Sequence, residues 1–151
     1  MSLQERADKL ALLAAELLRM GQAGEHLSWS LERSKPLLAK HSWAAEDLER
    51  LESLASRFAR FADLLSQRIM RLADELELES PGSLIDRIHR AEKRGWVDAD
   101  GDLVRMRELR NLIAHEYEDE DLPALYREVM RLTPVLLAAI PRVQAWSQQL
   151  K

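Results

Sequence analysis

Apolar residues recur every three or four positions along most of the chain, which is the spacing of helices that bury one face. Ser2 and Glu5 match the pattern of a capping box, so a first helix is expected to begin there. Its apolar stripe comprises Leu3, Leu10, Leu13, Leu17 and Met20. Gly21 and Gly24 are expected to interrupt this helix, because glycine is a poor helix former.

A second helix is predicted over residues 25–40, where Pro36 is expected to kink or end it. Ser42 then offers a side-chain oxygen as the N-cap of a third helix. Since no glycine or proline follows until Pro81, this helix is predicted over residues 43–78, roughly 54 Å at about 1.5 Å per residue. Its buried stripe is expected to be Phe58, Phe61, Leu65, Ile69 and Leu72.

The second half of the chain predicts three further helices. Ser80, followed by a proline, is expected to cap the first of them. The Lys-Arg-Gly sequence of residues 93–95 is expected to end this helix. A loop and a helix over residues 103–116 follow, and the last helix is predicted over residues 122–149. The prolines expected to bend that last helix are Pro134 and Pro141.

These elements predict an all-α fold, an antiparallel bundle of four to five helices in one domain over residues 1–151. Composition agrees, because Gly and Pro number only five each among many strong helix formers. The absence of a long alternating run argues against a parallel sheet and its nucleotide folds. The tryptophans expected to anchor the core or an interface are Trp29, Trp43, Trp96 and Trp146.

Charge and cysteine content exclude several classes of protein. The formal net charge of −4 argues against a protein that coats polyanions through net charge, but it allows a local basic site. A chain without cysteine has no disulfides, no thiol nucleophile and no cysteine-ligated zinc. No apolar run approaches the roughly 18 residues of a membrane span, and the N-terminus does not match a signal peptide. We therefore expect a soluble, cytoplasmic protein with no membrane association.

Residues 107–117, with the sequence RELRNLIAHEY, carry the candidate chemistry. At about 100° per residue one side of this helix is apolar and is expected to be buried. That side consists of Met106, Leu109, Leu112 and Ile113. The opposite side carries Arg107, Glu108, Arg110, Asn111, Ala114 and His115. The small Ala114 leaves room for another molecule to approach between Arg110 and His115.

This polar face suits phosphodiester chemistry. The imidazole of His115 can accept or donate a proton near neutral pH. The guanidinium of Arg110 can stabilise charge on a phosphoryl group, and Asn111 can orient the ring or the substrate. No metal or cofactor is expected, because the histidines lack ligand spacing. The plain alternative is an ordinary solvated helix face, since R-x-x-x-x-H spacing arises readily by chance in an arginine-rich chain.

Other arginines recur at helical spacing and are candidates for binding RNA. One stripe is formed by Arg87, Arg90 and Arg94, and Arg107 lies beside the motif. The long helix carries a second stripe, formed by Arg57, Arg60, Arg68 and Arg71. These side chains either follow a phosphate backbone or cover the edge of the core with their aliphatic stems. The sequence leaves both interpretations open.

Residues 110–117 (RNLIAHEY) resemble the R-x-x-x-x-H-x-Y signature of HepT-like toxins, a branch of the HEPN superfamily. The segments 83–88 (SLIDRI), 92–97 (EKRGWV) and 106–109 (MREL) are also similar to members of this branch. The resemblance extends over about residues 58–137, whereas the first 40 residues match only as generic helix.

The resemblance implies a helical bundle and a metal-independent endoribonuclease of a toxin–antitoxin system. It implies a homodimer in which the arginine and histidine of both copies share one cleft, with Arg110, Asn111 and His115 cleaving RNA. The implied antitoxin is a minimal nucleotidyltransferase that attaches AMP to Tyr117 and silences the toxin. No binding to DNA is expected.

Two alternatives to the ribonuclease remain. The first is a non-catalytic helical subunit that binds the substrate of a minimal nucleotidyltransferase or regulates that enzyme. The second is a plain helical interaction module, in which the Arg110 and His115 face contacts no ligand.

Overall fold

The computed structural model describes residues 1–115 and 121–150, and all regular elements within those ranges are helical. The elements are α1 (Leu3–Ser34), a 3₁₀ turn (Lys35–Ala39), α2 (Ala45–Asp63), a π-helical turn (Leu64–Ile69), α3 (Met70–Leu76), α4 (Leu84–Lys93), α5 (Asp102–Ala114) and α6 (Leu122–Gln148). The predicted all-α fold is confirmed.

The first two long helices lie antiparallel. Lys9, near the start of α1, pairs with Glu75 at the end of α3 at 3.1 Å. Near the other end of α1, Arg57 of α2 donates a hydrogen bond to the Ser30 hydroxyl at 2.7 Å. Helix α6 packs along α1 and α2, and α5 packs against α2 and α6. Helix α4 closes the bundle against α3 and α5.

Helix α1 is continuous, so the interruption predicted at Gly21 and Gly24 is wrong. A glycine inside a helix costs only about 1 kcal/mol relative to alanine, and the packing of α1 against α2 and α6 offsets that cost. Gly24 also has a packing role, because a side chain there would collide with Ile140 of α6. The missing side chain therefore lets the two long helices approach closely.

The predicted start of α1 is confirmed. The Ser2 hydroxyl accepts a hydrogen bond from the Glu5 backbone N–H at 3.1 Å, and the Glu5 carboxylate accepts one from the Ser2 N–H at 2.7 Å. Leu3, however, is 90% exposed and does not belong to the buried stripe. Arg6 already contacts the carbonyl of Leu76 at the end of α3, so the turn before Arg6 projects past the bundle. The fully buried members of the stripe are Leu13 and Met20.

The connection between α1 and α2 confirms the stop at Pro36, which lies in the 3₁₀ turn after α1 ends. The N-cap predicted at Ser42 is wrong. The cap is instead supplied by Asp47, whose carboxylate accepts hydrogen bonds from the Ala44 backbone N–H at 3.0 Å and from the Lys40 ammonium at 2.9 Å. A charged acceptor in the first turn replaces the serine hydroxyl, so α2 begins later than predicted.

The long helix predicted over residues 43–78 is confirmed as a rod over residues 45–76, formed by α2, the π-helical turn and α3. All five residues of its predicted stripe are buried. The π-helical turn was not predicted. Within it, the Ser66 hydroxyl donates a hydrogen bond to the carbonyl of Ala62 at 2.7 Å.

Helix α4 begins at a different serine from the one predicted. Ser83 and Asp86 form a reciprocal capping box, which satisfies two backbone N–H groups, and Ser80 lies outside the helix. The predicted end is confirmed, since Gly95 follows the helix with a φ of +82°. Gly101, with a φ of +97°, precedes α5.

Helix α6 includes both prolines in its interior, and the bend expected at them stays a prediction. Two tryptophans, Trp96 and Trp146, meet edge to face with ring centroids 5.3 Å apart. Trp96 is fully buried, whereas Trp29 is 57% exposed and does not belong to the core. Among the helices of the described ranges, none combines the length and apolar character that crossing a membrane requires.

Candidate functional site

Arg110 of α5 is held by Asp63, the last residue of α2. Its Nε and Nη2 atoms donate to the two carboxylate oxygens of Asp63 at 2.8 and 3.1 Å. The side chains stay 33% and 39% exposed, so the pair faces solvent and not the core. These hydrogen bonds raise the pKa of Arg110 above its usual value, against a smaller opposing effect of burial. The guanidinium is therefore a fixed, permanently charged group.

The pair leaves part of the guanidinium of Arg110 available. A guanidinium has five N–H donors, and Asp63 uses two of them. The other three can bind a second anion, and the carboxylate holds the plane of the group in one orientation. This is the arrangement that a phosphoryl-binding arginine requires.

A groove of about 940 Å³ runs beside this pair, between α1, α2 with its π-helical turn, and α5. Its walls are rich in arginine, and the carboxylates among them are Glu16 and Asp63. The lining arginines are Arg19, Arg57, Arg60, Arg68, Arg107 and Arg110. Six guanidiniums against two carboxylates give the groove a positive character, although the whole chain is acidic.

Three of these arginines donate hydrogen bonds to side chains of α1. Arg19 and Arg68 donate to the same carboxylate oxygen of the buried Glu16, at 2.7 and 3.3 Å. Arg57 donates to the hydroxyl of Ser30 at 2.7 Å. The contacts of Arg57 and Arg68 join α1 to α2 and its π-helical turn, so these two arginines contribute to the fold as well as to the charge of the groove.

Two arginines of the groove have no such partner. The guanidiniums of Arg60, which is exposed, and of Arg107, which is half-buried, form no ion pair or hydrogen bond with other residues of ranges 1–115 and 121–150. They lie on α2 and α5, each three residues before its helix's member of the Asp63–Arg110 pair. They are the groove cations that remain available to phosphate.

His115 lies directly after the last residue of α5 and is exposed, as are Asn111 and Ala114. None of these three lines the groove, so the structure places Arg110 in the groove and His115 beyond it. Leu112 was expected on the buried side of α5, but it is 39% exposed. The expectation is wrong for Leu112 alone, since Met106 and Leu109 are buried and Ile113 is partly buried against the core.

Tyr117, the predicted modification site, lies outside the described residues. The acidic stretch that surrounds it, over residues 116–120, lies outside them as well.

The three arginines of the α4 region serve mainly to attach that helix. Arg90 donates to Asp74 at 2.9 Å, and this hydrogen bond raises the pKa of Arg90. Arg94, only 7% exposed, donates to Asp74 at 2.7 Å and to Glu77 at 3.0 Å. Arg87 reaches the carbonyl of Ser66 at 3.5 Å. These contacts favour the structural interpretation for Arg90 and Arg94, and a role in binding RNA stays a prediction for all three.

Asp63 was not predicted as a member of the site. Its only signal was its position beside the arginine stripe of the long helix, and an isolated aspartate on a helix has many interpretations. The pairing depends on how α5 packs across the end of α2. That packing is a tertiary relationship, so the local pattern around Asp63 did not reveal it.

Within the part of the chain that the structure describes, no group of three or more His, Asp or Glu side chains is arranged to hold a metal ion.

Comparison with known proteins gives one match. The model of a family described as ribonuclease HepT-like matches residues 27–143, which is well over half of the chain and includes the Arg110 to His115 motif. Nothing matches the chain among curated proteins or among solved structures.

Proposed function

Because the chain belongs to the ribonuclease HepT-like family, we propose that it is the toxin of a toxin–antitoxin pair, a metal-independent endoribonuclease that acts as a homodimer. Its catalytic residues are Arg110, His115 and Asn111. The observation that carries the proposal is Arg110 itself, which is fixed by Asp63 at the wall of a cationic groove and keeps three N–H donors that Asp63 does not use.

The proposed reaction uses the ribose 2′-hydroxyl as the nucleophile. Its oxygen attacks the adjacent phosphorus, the bond from phosphorus to the 5′-oxygen breaks, and a cyclic phosphate and a 5′-hydroxyl result. One copy of His115 accepts the proton of the 2′-hydroxyl, and a second copy donates a proton to the departing 5′-oxygen. Arg110 stabilises the extra negative charge on the phosphoryl oxygens, and Asn111 positions the substrate.

A homodimer supplies what one copy lacks, since one histidine cannot act as acid and base in the same step. The exposed Leu112 supports this part of the proposal, because it gives the motif helix an apolar contact surface beside Asn111 and His115. The small, exposed Ala114 leaves space between them for a second chain or for RNA.

The proposed antitoxin is a minimal nucleotidyltransferase that modifies Tyr117. The tyrosine oxygen would attack the α-phosphorus of ATP, forming a phosphodiester to AMP while pyrophosphate leaves. A bulky anion two residues from His115 would block the cleft and repel RNA. Co-expression with the neighbouring open reading frame, followed by intact-mass analysis, tests this part. An unmodified Tyr117 in the presence of an active partner would contradict it.

The ribonuclease proposal is tested by cleavage of single-stranded RNA in the presence of a chelator. We expect Arg110→Ala and His115→Ala to abolish cleavage, and a 2′-deoxy substitution at the cut site to block it. Arg71→Ala and His41→Ala are matched controls, because both residues are exposed and neither lines the groove. Cleavage that is equal in the wild type and in both motif variants would overturn the proposal.

A non-catalytic subunit of a nucleotidyltransferase is the second candidate. The observation that favours it is the position of His115, which is exposed and lies outside the groove that Arg110 lines. This candidate predicts stable co-purification with the nucleotidyltransferase, no RNA cleavage, and binding that tolerates His115→Ala.

A further inference from the structure

Trp29 is a large apolar side chain that the fold leaves in solvent. It lies on α1 and is 57% exposed. Two guanidiniums lie near its ring, with the central carbons of Arg33 and Arg57 at 4.7 and 5.5 Å from the ring centroid. An indole flanked by guanidinium planes is a surface on which nucleobases stack, because both kinds of plane attract the faces of bases.

This surface is continuous with the groove. Arg57 lines the groove and also approaches Trp29, and it donates to Ser30, the next residue along α1. Ser30 and Trp29 line a second hollow of about 440 Å³, whose charged side chains are Arg33, Arg50, Glu46 and Glu49. A ligand that fills the groove therefore meets Trp29 where it leaves.

The spacing along α2 fits one extended strand. Arg57, Arg60 and Asp63 follow each other at intervals of three residues, so they share one side of the helix. Arg57 lies roughly 9 Å along the helix axis from Asp63, at about 1.5 Å per residue. A few nucleotides cover that distance. Between the two ends, Arg60 has no partner among residues 1–115 and 121–150, so its cation is available to a phosphate.

We propose that a single RNA strand, one phosphate of which binds Arg110, continues from there along the α2 side of this groove. A second phosphate of the strand binds Arg60, and one of its bases stacks on Trp29. The inference rests on the proposed function, since it extends the substrate site of the same ribonuclease. It assigns the strand two contacts of different chemistry, one ionic and one by stacking. RNA is favoured over a protein partner because the guanidinium of Arg60 in the cationic groove and the exposed indole of Trp29 are linked by Arg57, which lines the groove and approaches the indole.

Fluorescence anisotropy with a labelled single-stranded RNA of about ten nucleotides tests the two contacts separately. The protein is the full chain carrying His115→Ala, so that binding is measured without cleavage. We expect Arg60→Gln to weaken binding about fivefold and to lower the slope of log affinity against log salt by about 0.7. We expect Trp29→Leu to weaken binding about tenfold with an unchanged salt slope, and Trp29→Phe to retain most of the affinity.

Two surface variants are matched controls. Arg71→Gln removes an exposed arginine of α3, and Leu18→Ala removes an exposed apolar side chain of α1, and neither residue lines the groove or the second hollow. Both should bind RNA as the parent does. Light scattering of each variant should give the same molar mass as the parent. If Trp29→Leu changes that mass, Trp29 is a contact between chains and the inference is overturned.

The outcomes also separate this inference from the proposed function. Wild-type cleavage that depends on His115, with RNA affinity unchanged in Trp29→Leu and Arg60→Gln, would overturn the inference and leave the ribonuclease intact. Binding that depends on both residues, without any cleavage by the wild type, would support the RNA path and contradict the catalytic proposal. Absence of RNA binding by the parent would overturn the inference directly.

Discussion

Asp63 and Arg110, which are 47 positions apart in the chain, are joined by two parallel hydrogen bonds of 2.8 and 3.1 Å. The pair connects the end of α2 to the motif helix α5 at the wall of the cationic groove. A carboxylate that accepts two hydrogen bonds from a guanidinium fixes both its position and its plane. Asp63 therefore acts as a positioning residue for Arg110.

Replacing Asp63 with asparagine tests that role. Asp63→Asn keeps the size of the side chain but removes its charge and turns one acceptor into a donor, so the guanidinium loses its two-point support. We expect kcat for RNA cleavage to fall about tenfold with little change in KM, since the loss is one of orientation. The free energy of unfolding should fall by only about 0.5–1 kcal/mol, because the pair is partly solvent-exposed.

Asp63→Glu is the control for this prediction, since it retains the carboxylate and should recover part of the rate. Gln67→Glu, made in the Asp63→Asn protein, adds a carboxylate elsewhere in the same groove. It should not restore the rate that Asp63→Asn loses. A kcat for Asp63→Asn equal to that of the wild type would show that Arg110 does not need this support.

The spacing of apolar residues correctly predicted which face of the long helix is buried. The stripe of the long helix, from Phe58 to Leu72, is buried throughout, because i, i+3 and i+4 spacing reports directly on which face meets the core. The motif was also visible in sequence, since Arg110 and His115 lie within one short helical segment. These features depend on residues close together in the chain.

Features that depend on contacts between distant helices were not predicted. The local pattern predicts a helix break at Gly24, whereas this glycine allows α6 to approach α1. Arg94 was read as a member of a basic stripe, whereas it lies almost buried on Asp74. In each case a residue's local preference was overruled by a partner that lies far away in the sequence.

The two glycines inside α1 are expected to respond oppositely to alanine. Gly21 has no atom within 4 Å of an added Cβ, so Gly21→Ala should gain helix propensity and stabilise the protein by about 0.5–1 kcal/mol. At Gly24 the added Cβ collides with the side-chain end of Ile140, and the strain should exceed the same gain. We expect Gly24→Ala to destabilise by about 1 kcal/mol. Chemical denaturation measures both values.

A second substitution identifies the cause of the Gly24 effect. Ile140→Val removes the terminal methyl group that meets the new Cβ, so Gly24→Ala should cost less in that background than in the wild type. Equal costs in both backgrounds would contradict a steric origin and would indicate that α1 itself shifts.

Arg94 is expected to contribute to stability and not to RNA binding. Its guanidinium lies against both Trp96 and Trp146, with its central carbon 5.5 and 5.6 Å from their ring centroids, and donates to Asp74. Arg94→Ala removes these contacts and leaves Asp74 with one arginine partner fewer, so unfolding free energy should fall by about 2–3 kcal/mol. Lys93→Ala, which removes an exposed cation beside it, should have little effect.

The RNA affinity of the folded Arg94→Lys protein separates the two interpretations of this residue. Lysine keeps the charge but loses the planar group that lies against the two indole rings. We expect reduced stability and unchanged affinity for RNA. Weaker RNA binding with unchanged stability would instead place Arg94 on the substrate path.

Glu128 of α6 joins α5 and α6 through two arginines. Arg131 donates to both of its carboxylate oxygens, at 2.9 and 2.7 Å, and Arg105 of α5 donates to one of them at 3.2 Å. The hydrogen bonds from Arg131, assisted by those from Arg105, lower the pKa of Glu128 from 4.5 to about 2. The ionised form is thus favoured by the folded state.

This shift predicts a pH-dependent loss of stability that Glu128→Gln should remove. The folded-state pKa lies below the unfolded value, so the contribution of Glu128 is complete above about pH 4.5 and is lost as the pH falls towards 2.

At pH 7 we expect the variant to be less stable by about 1 kcal/mol, because solvent screens a pair that is partly exposed. The difference between wild type and variant should shrink steadily between pH 4.5 and about 2, as measured by denaturation at each pH. Glu52→Gln, at an exposed position with no ion-pair partner in the described ranges, is the control and should leave the free energy of unfolding at pH 7 nearly unchanged. A Glu128→Gln difference that stays constant over this range would mean that hydrogen bonding, which glutamine retains in part, and not charge, joins the two helices.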